Sequence, residues 1–175
     1  MALLEEIPSE YIGGAEFKMS PTNFFHYNAT SNLSDIINRQ IDRSKYKLTA
    51  DVRLETKDGA TVYPDIAVYE KPFTVTEKGT IKGTPCFVAE VVSPSTREKD
   101  FTTKKDLYER LGAEHYWIVD PYGKYIMAYN LNPISLTYSE MKVYQYDEEA
   151  EQAPVSLTIG RCDIKLDTAE LFQQN

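Results

Sequence analysis

The chain has 175 residues, of which 42% are hydrophobic and 12% aromatic, with 19 Lys and Arg against 27 Asp and Glu. That length and apolar content suit one globular domain over residues 1–175 with a real core, not a disordered or fibrous chain. A net charge of −8 argues against holding nucleic acid by broad phosphate neutralisation, and no apolar run reaches the ~20 residues of a membrane-spanning helix.

Met1 to Glu6 lacks the basic and then hydrophobic pattern of an export signal, so a cytoplasmic protein is expected. Cys86 and Cys162 lie far apart, and the only histidines are His26 and His115, which speaks against a disulfide framework or a His/Cys zinc site. Any metal would be held by oxygen ligands.

Residues 1–19 show little periodicity beyond a Gly13-Gly14 turn and a short strand near Glu16 to Met19. Ser20 as N-cap and Pro21 in the first turn predict a helix running to about Ile41. On it His26, Ala29, Leu33 and Ile37 share one face, and a histidine on such a face is by default a satisfied core residue.

Lys47 to Glu55 and Val62 to Tyr69 read as a hairpin across the Lys57-Asp58-Gly59 turn. Asp65 then lies on the face of Tyr63, Ala67 and Tyr69, and Pro64 marks a distortion beside it. Lys71 to Thr84, polar and carrying Gly79 and Gly83, reads as a surface connection.

Cys86 to Val92 is apolar except at Glu90, and burying one carboxylate there costs several kcal/mol unless a cation or hydrogen-bond donors meet it. After a Ser93 to Thr96 turn, Asp100 to Leu111 reads as a helix stopped by Gly112. At about 100° per residue, Phe101, Leu107, Tyr108 and Leu111 form its inner stripe. Lys104 lies near the centre of that stripe with Asp100 beside it, while Lys105 falls to the solvated side. Glu90 and Lys104 therefore form either a buried structural ion pair or part of a site.

Tyr116 to Val119 is a buried strand, Asp120 to Gly123 a turn, and Tyr125 to Leu131 an antiparallel return. Met141 to Tyr146, Val155 to Ile159 and Asp163 to Leu166 read as strands, and Thr168 to Phe172 as a short helix. The fold class is α+β. Most excess acid is C-terminal, with 10 acidic and 4 basic side chains in 111–175, including the acidic loop Asp147 to Glu151. Arg97, Lys99, Lys105 and Arg110, near Glu90 in sequence, are either phosphate contacts or ordinary surface charge.

Asp65 and Glu90 on strands, with Lys104 on the following helix, supply two hard oxygen ligands and a cationic donor. Magnesium suits such a set, because it keeps several waters and needs only one or two protein carboxylates. With a phosphodiester substrate, that chemistry is hydrolysis by activated water.

At these residues the chain resembles the Uma-type restriction endonuclease family of the PD-(D/E)XK nuclease superfamily. The matching pieces are Pro64-Asp65, the run Glu90 to Thr96, Asp100 with Lys104 and Tyr108 at four-residue steps, and Tyr116 to Pro121. His26 after Met19-Ser20-Pro21 matches more loosely, and the resemblance covers most of residues 14–131.

The resemblance implies a restriction-endonuclease-like core, a mixed β-sheet flanked by helices, with Asp65 and Glu90 as metal ligands. The superfamily's simplest pattern has lysine two residues after the acid, where this chain has Val92. Members with that departure are thought to supply the lysine from the next helix, in agreement with Lys104.

The expectation is a magnesium-dependent endonuclease, with manganese able to substitute, acting on DNA. Asp65, Glu90 and the Val91 carbonyl would hold the metal, Lys104 would orient water or stabilise charge, Asp100 and Tyr108 would position Lys104, and His26 would support the site. A homodimer is expected of restriction-type enzymes, and 13 tyrosines offer interface material. The alternative is an interaction module that keeps the fold and its ion pairs for architecture.

Overall fold

The structure, a computed structural model, describes residues 8–19 and 21–173. Its centre is a six-stranded mixed sheet in the order β12-β11-β10-β9-β6-β3. These strands are β3 (Tyr46–Thr49), β6 (Ile66–Glu70), β9 (Phe87–Val91), β10 (His115–Asp120), β11 (Tyr125–Asn130) and β12 (Glu140–Gln145). Only β9 and β10 run parallel within it, Glu90 lying beside Ile118, and the crossover between them is helical.

That crossover consists of α2 (Arg97–Lys99), a π-helical turn over Asp100–Lys104 and α3 (Lys105–Leu111). Gly112 ends it in the left-handed region at φ 81°, as its position in the sequence predicts. On the opposite face of the sheet lie α1 (Phe24–Asn38) and α4 (Thr168–Phe172), with the hairpin β13 (Val155–Ile159) and β14 (Cys162–Leu166).

Alternation along the strands separates two cores. Phe87, Ala89 and Val91 of β9 pack with Leu33 and Ile37 of α1, whereas Val88 and Val92 pack with Leu107 and Tyr108 of α3. Glu90 therefore faces the α3 side, where Tyr108 and Tyr116 are fully buried.

A second six-stranded sheet, ordered β2-β1-β5-β4-β8-β7, closes that side. Its strands are β1 (Ser9–Ile12), β2 (Ala15–Lys18), β4 (Leu54–Glu55), β5 (Thr61–Val62), β7 (Thr74–Val75) and β8 (Ile81–Lys82).

The long hairpin expected over residues 47–69 exists, but both of its strands change sheet midway. Its base, β3 with β6, belongs to the central sheet, and its tip, β4 with β5, to the second one. The switch falls at Pro64, whose carbonyl accepts the Asp51 amide at 3.0 Å. Because proline gives no ladder donor, the chain bends there, and the bend carries Asp65.

Three further expectations are corrected. Helix α1 starts later, at an Asn23 cap whose side chain accepts the His26 amide at 3.2 Å; Pro21 precedes the helix, and Ser20 lies outside the described residues. The connection over residues 71–84 contains β7 and β8, two-residue strands too short to show alternation. Strand β1, before the Gly13-Gly14 turn, was not expected, and it pairs with β2 across that turn. Both glycines have positive φ, the conformation of a tight hairpin turn.

No helix among the described residues is long and apolar enough to cross a membrane.

Candidate metal and phosphate site

A cavity of about 50 Å³ opens where the α1 N-terminus, the Pro64 bend, the end of β9 and the π-helical turn meet. Its walls include Glu10, Asp51, Asp65, Glu90 and Asp100, facing Lys99, Lys104 and His26.

Lys104 is 4% exposed and Glu90 1%. The Lys104 ammonium donates to Glu90 Oε2 at 2.8 Å and lies 3.0 Å from Glu10 Oε1 and 3.9 Å from Asp100 Oδ1. Burial alone would lower the lysine pKa, but Glu90, Glu10, Asp100 and Asp65 outweigh it and hold the ammonium charged. For Glu90 burial dominates and pushes the carboxyl well above the ordinary range, against the pull of Lys104.

The π-helical turn contributes to this convergence by bringing Asp100 and Lys104 inward together. Tyr116 Oη donates to the Asp100 carbonyl at 2.7 Å, fixing that turn to β10. Tyr108 was expected to position Lys104, and the geometry corrects this. Its hydroxyl donates to Glu90 Oε1 at 2.9 Å and so orients the acid instead.

Asp65 sits at the bend and accepts the Val91 amide at 2.7 Å through Oδ2. His26 Nε2 lies 3.1 Å from the same oxygen. Burial would raise the Asp65 pKa, but the His26 contact, the Lys104 charge and the Val91 amide together keep it below the ordinary carboxylate value. His26, whose default reading is a core histidine, belongs to the cavity wall, and its Nδ1 is buried without a hydrogen-bond partner among the described residues.

Glu10 was missed. It is 1% exposed, accepts the Tyr63 amide at 3.0 Å through Oε1 and pairs with Lys99 at 2.5 Å through Oε2. Burial would raise its pKa, but Lys104 and Lys99 bring it below the ordinary value. In the structure Glu10 points inward with Ile12, but in the sequence a charged residue at position 10 reads naturally as facing water. Asp51, also missed, has a carboxyl raised first by burial and then by Asp65.

The four cations considered as phosphate contacts have partners within the protein. Arg97 meets Asp120 at 2.6 Å, Lys99 meets Glu10, and Arg110 lies 3.7 Å from Asp58. Lys105, expected in solvent, is half-buried over the Tyr129 ring at 5.4 Å.

The residues present fit a divalent cation. Five carboxylates line a cavity with two lysines, and Asp100 Oδ1 is buried without a hydrogen-bond partner among the described residues. Burial pushes the Asp100 carboxyl up to about 6, even with Lys104 nearby. No three His, Cys, Asp or Glu among the described residues form a ready-made metal cage. A water-sized occupant needs only about 10–15 Å³ of such space.

No curated protein matches the chain. Among solved structures it is similar to a "putative nuclease belonging to DUF820" from Anabaena variabilis, at 20% identity and a TM-score of 0.75, over 95% of this chain and 90% of that one. At that identity the likeness establishes the fold, a nuclease-type mixed sheet flanked by helices. The model of the Uma2 family, described as "Putative restriction endonuclease", matches residues 2–164. The chain belongs to the Uma2 family.

Proposed function

We propose that the protein is a magnesium-dependent endonuclease that hydrolyses DNA phosphodiester bonds, with manganese able to replace magnesium. The observation that carries this reading is the convergence of Asp65, Glu90 and Lys104 on one acid-rich cavity. Asp65 and Glu90, with the Val91 carbonyl, are the groups that would hold the ion. When bound, it supplies positive charge at the phosphate and makes water more acidic.

The chain's own residues do the rest. Lys104 provides a permanent ammonium for the negative charge that develops on the phosphate oxygens. Tyr108 fixes the rotamer of Glu90, and His26 and the Val91 amide fix Asp65. Glu90, Glu10 and Asp100 keep Lys104 protonated.

One observation favours a second reading, an inactive interaction module. Both Glu90 oxygens already have donors, Lys104 and Tyr108, as in a purely structural ion pair. Incubating supercoiled and single-stranded DNA with magnesium or manganese separates the two, with wild type beside Glu90→Ala. Metal-dependent cleavage that vanishes in the variant supports the enzyme, whereas inert preparations of both support the module. Lys104→Met should lose cleavage; full activity in it would remove that lysine from the mechanism.

We further propose a cytoplasmic location and a homodimer. Support for the dimer comes from edge strand β12, where Met141 and Val143 are 50% and 53% exposed. Light scattering at high concentration checks it, and a monomer mass would remove it.

A further inference from the structure

Beside the mouth of the cavity stands a group of aromatic rings that the fold does not use. Asn23 lines the cavity, and its side-chain amide donates to Tyr122 Oη at 3.0 Å. The Tyr122 ring meets that of Phe25 at 5.5 Å and 56°, and Phe24 meets Phe25 edge-on at 6.1 Å. Phe24, Phe25 and Tyr122 are 57%, 40% and 48% exposed. Their neighbour His26 lines the cavity and touches Asp65.

The rings are anchored. Phe24 and Phe25 occupy the capped first turn of α1, and the Tyr122 amide donates to Asp120 Oδ1 at 2.9 Å. Asp120 is itself held by Arg97 at 2.6 Å. Large exposed rings on rigid backbone are suited to bury their faces against a flat apolar partner with little loss of conformational entropy.

Electrostatics restricts what that partner is. The chain carries −8 overall, and Lys104 and Lys99, which line the cavity, are spent on Glu90 and Glu10, as Arg97 is on Asp120. A duplex held chiefly by phosphate neutralisation finds little here. Bases of an unpaired strand stack on aromatic faces without regard to sequence, and that contribution does not require excess positive charge.

We propose that Phe24, Phe25 and Tyr122 form a stacking platform for unpaired bases, and that the substrate is single-stranded nucleic acid whose adjacent phosphate enters the acidic cavity. This substrate class rests on the nuclease reading. Binding can nevertheless be measured without turnover, so the two can fail separately.

The experiment is fluorescence anisotropy with a labelled oligothymidylate of about ten nucleotides, within the usual single-strand site size. A duplex of the same length is run in parallel, both in EDTA. Wild type should prefer the single strand. Tyr122→Ala and Phe25→Ala should each weaken it by about tenfold, and Phe25→Trp should restore binding. Phe24→Ala, at the most exposed ring, carries the same test if Phe25→Ala fails to fold. Duplex preferred over single strand, or variants binding as wild type does, would overturn the platform even if metal-dependent cleavage is found. Ring-dependent binding with no cleavage in any metal would keep the platform and remove the nuclease.

Discussion

Lys104 and Glu10 lie 3.0 Å apart, joining the central crossover to a strand of the second sheet through a buried contact. Lys104 thus answers to Glu10 as well as to Glu90, and Glu10 also neutralises Lys99. Removing one partner of a buried pair leaves an uncompensated charge, at a cost of about 3 kcal/mol or more. Glu10→Gln, similar in shape and still able to accept the Tyr63 amide, should lose about that much in a urea melt. Unchanged stability would mean that Glu90 alone satisfies the lysine.

Loading the cavity with a divalent ion should stabilise the fold by mass action, by about 2.7 kcal/mol when the free ion is at a hundred times its Kd. Manganese or magnesium is therefore expected to raise the Tm of the wild type, and Glu90→Gln and Asp65→Asn to abolish the rise. Lys104→Met should keep it, because the lysine holds no metal in the proposed arrangement. Equal shifts in wild type and Glu90→Gln would place the ion elsewhere.

Asp120 governs part of the acid limb. Burial would raise its carboxyl, but the Gly123 amide at 2.8 Å, Arg97 and the Tyr122 amide hold it below the ordinary carboxylate value. A group whose folded pKa is depressed stabilises the fold fully above its unfolded value, about 3.9 for Asp. That contribution is lost as pH falls from there through the lower folded value. Urea melts of wild type and Asp120→Asn should therefore differ most above about pH 4 and converge below it. A gap that widens with acid would contradict the assignment.

How much of the site was readable in the chain follows from what each residue does to a pattern. Glu90 interrupts an apolar strand and Lys104 an apolar helical stripe, and such interruptions stand out. The helix phase was readable even though Asp100–Lys104 form a π-helical turn, because that turn still buries Asp100 and Lys104, as α3 buries Leu107 and Tyr108. Val92, at the position where the superfamily's simplest pattern has lysine, is 1% exposed and packs with Leu107 and Tyr108. Glu10 interrupts nothing recognisable, since a single acid in a four-residue strand looks like the solvent-facing half of an alternation. The sheet switch at Pro64 was only half visible. Proline announces a break, but which sheet each half joins is decided by pairing partners distant in sequence.

Gly160 supplies a test of packing away from the cavity. It lies in the turn between β13 and β14 at φ +58°, a conformation unfavourable for side chains other than glycine's, and a Cβ there would fall 1.8 Å from Tyr46 Oη and 2.7 Å from Cζ. Tyr46 is 5% exposed and packs within the core on the α1 side, so the phenol has little room to yield. Gly160→Ala combines backbone strain with a steric clash and should cost more than about 1 kcal/mol. Tyr46→Phe removes the nearest atom but leaves the ring, so the double variant should recover part of the loss, with a coupling of about 0.5 kcal/mol or more. Urea melts of the two single variants and the double variant give that coupling directly. Strict additivity would show that the backbone conformation, not the contact with Tyr46, requires glycine at this turn.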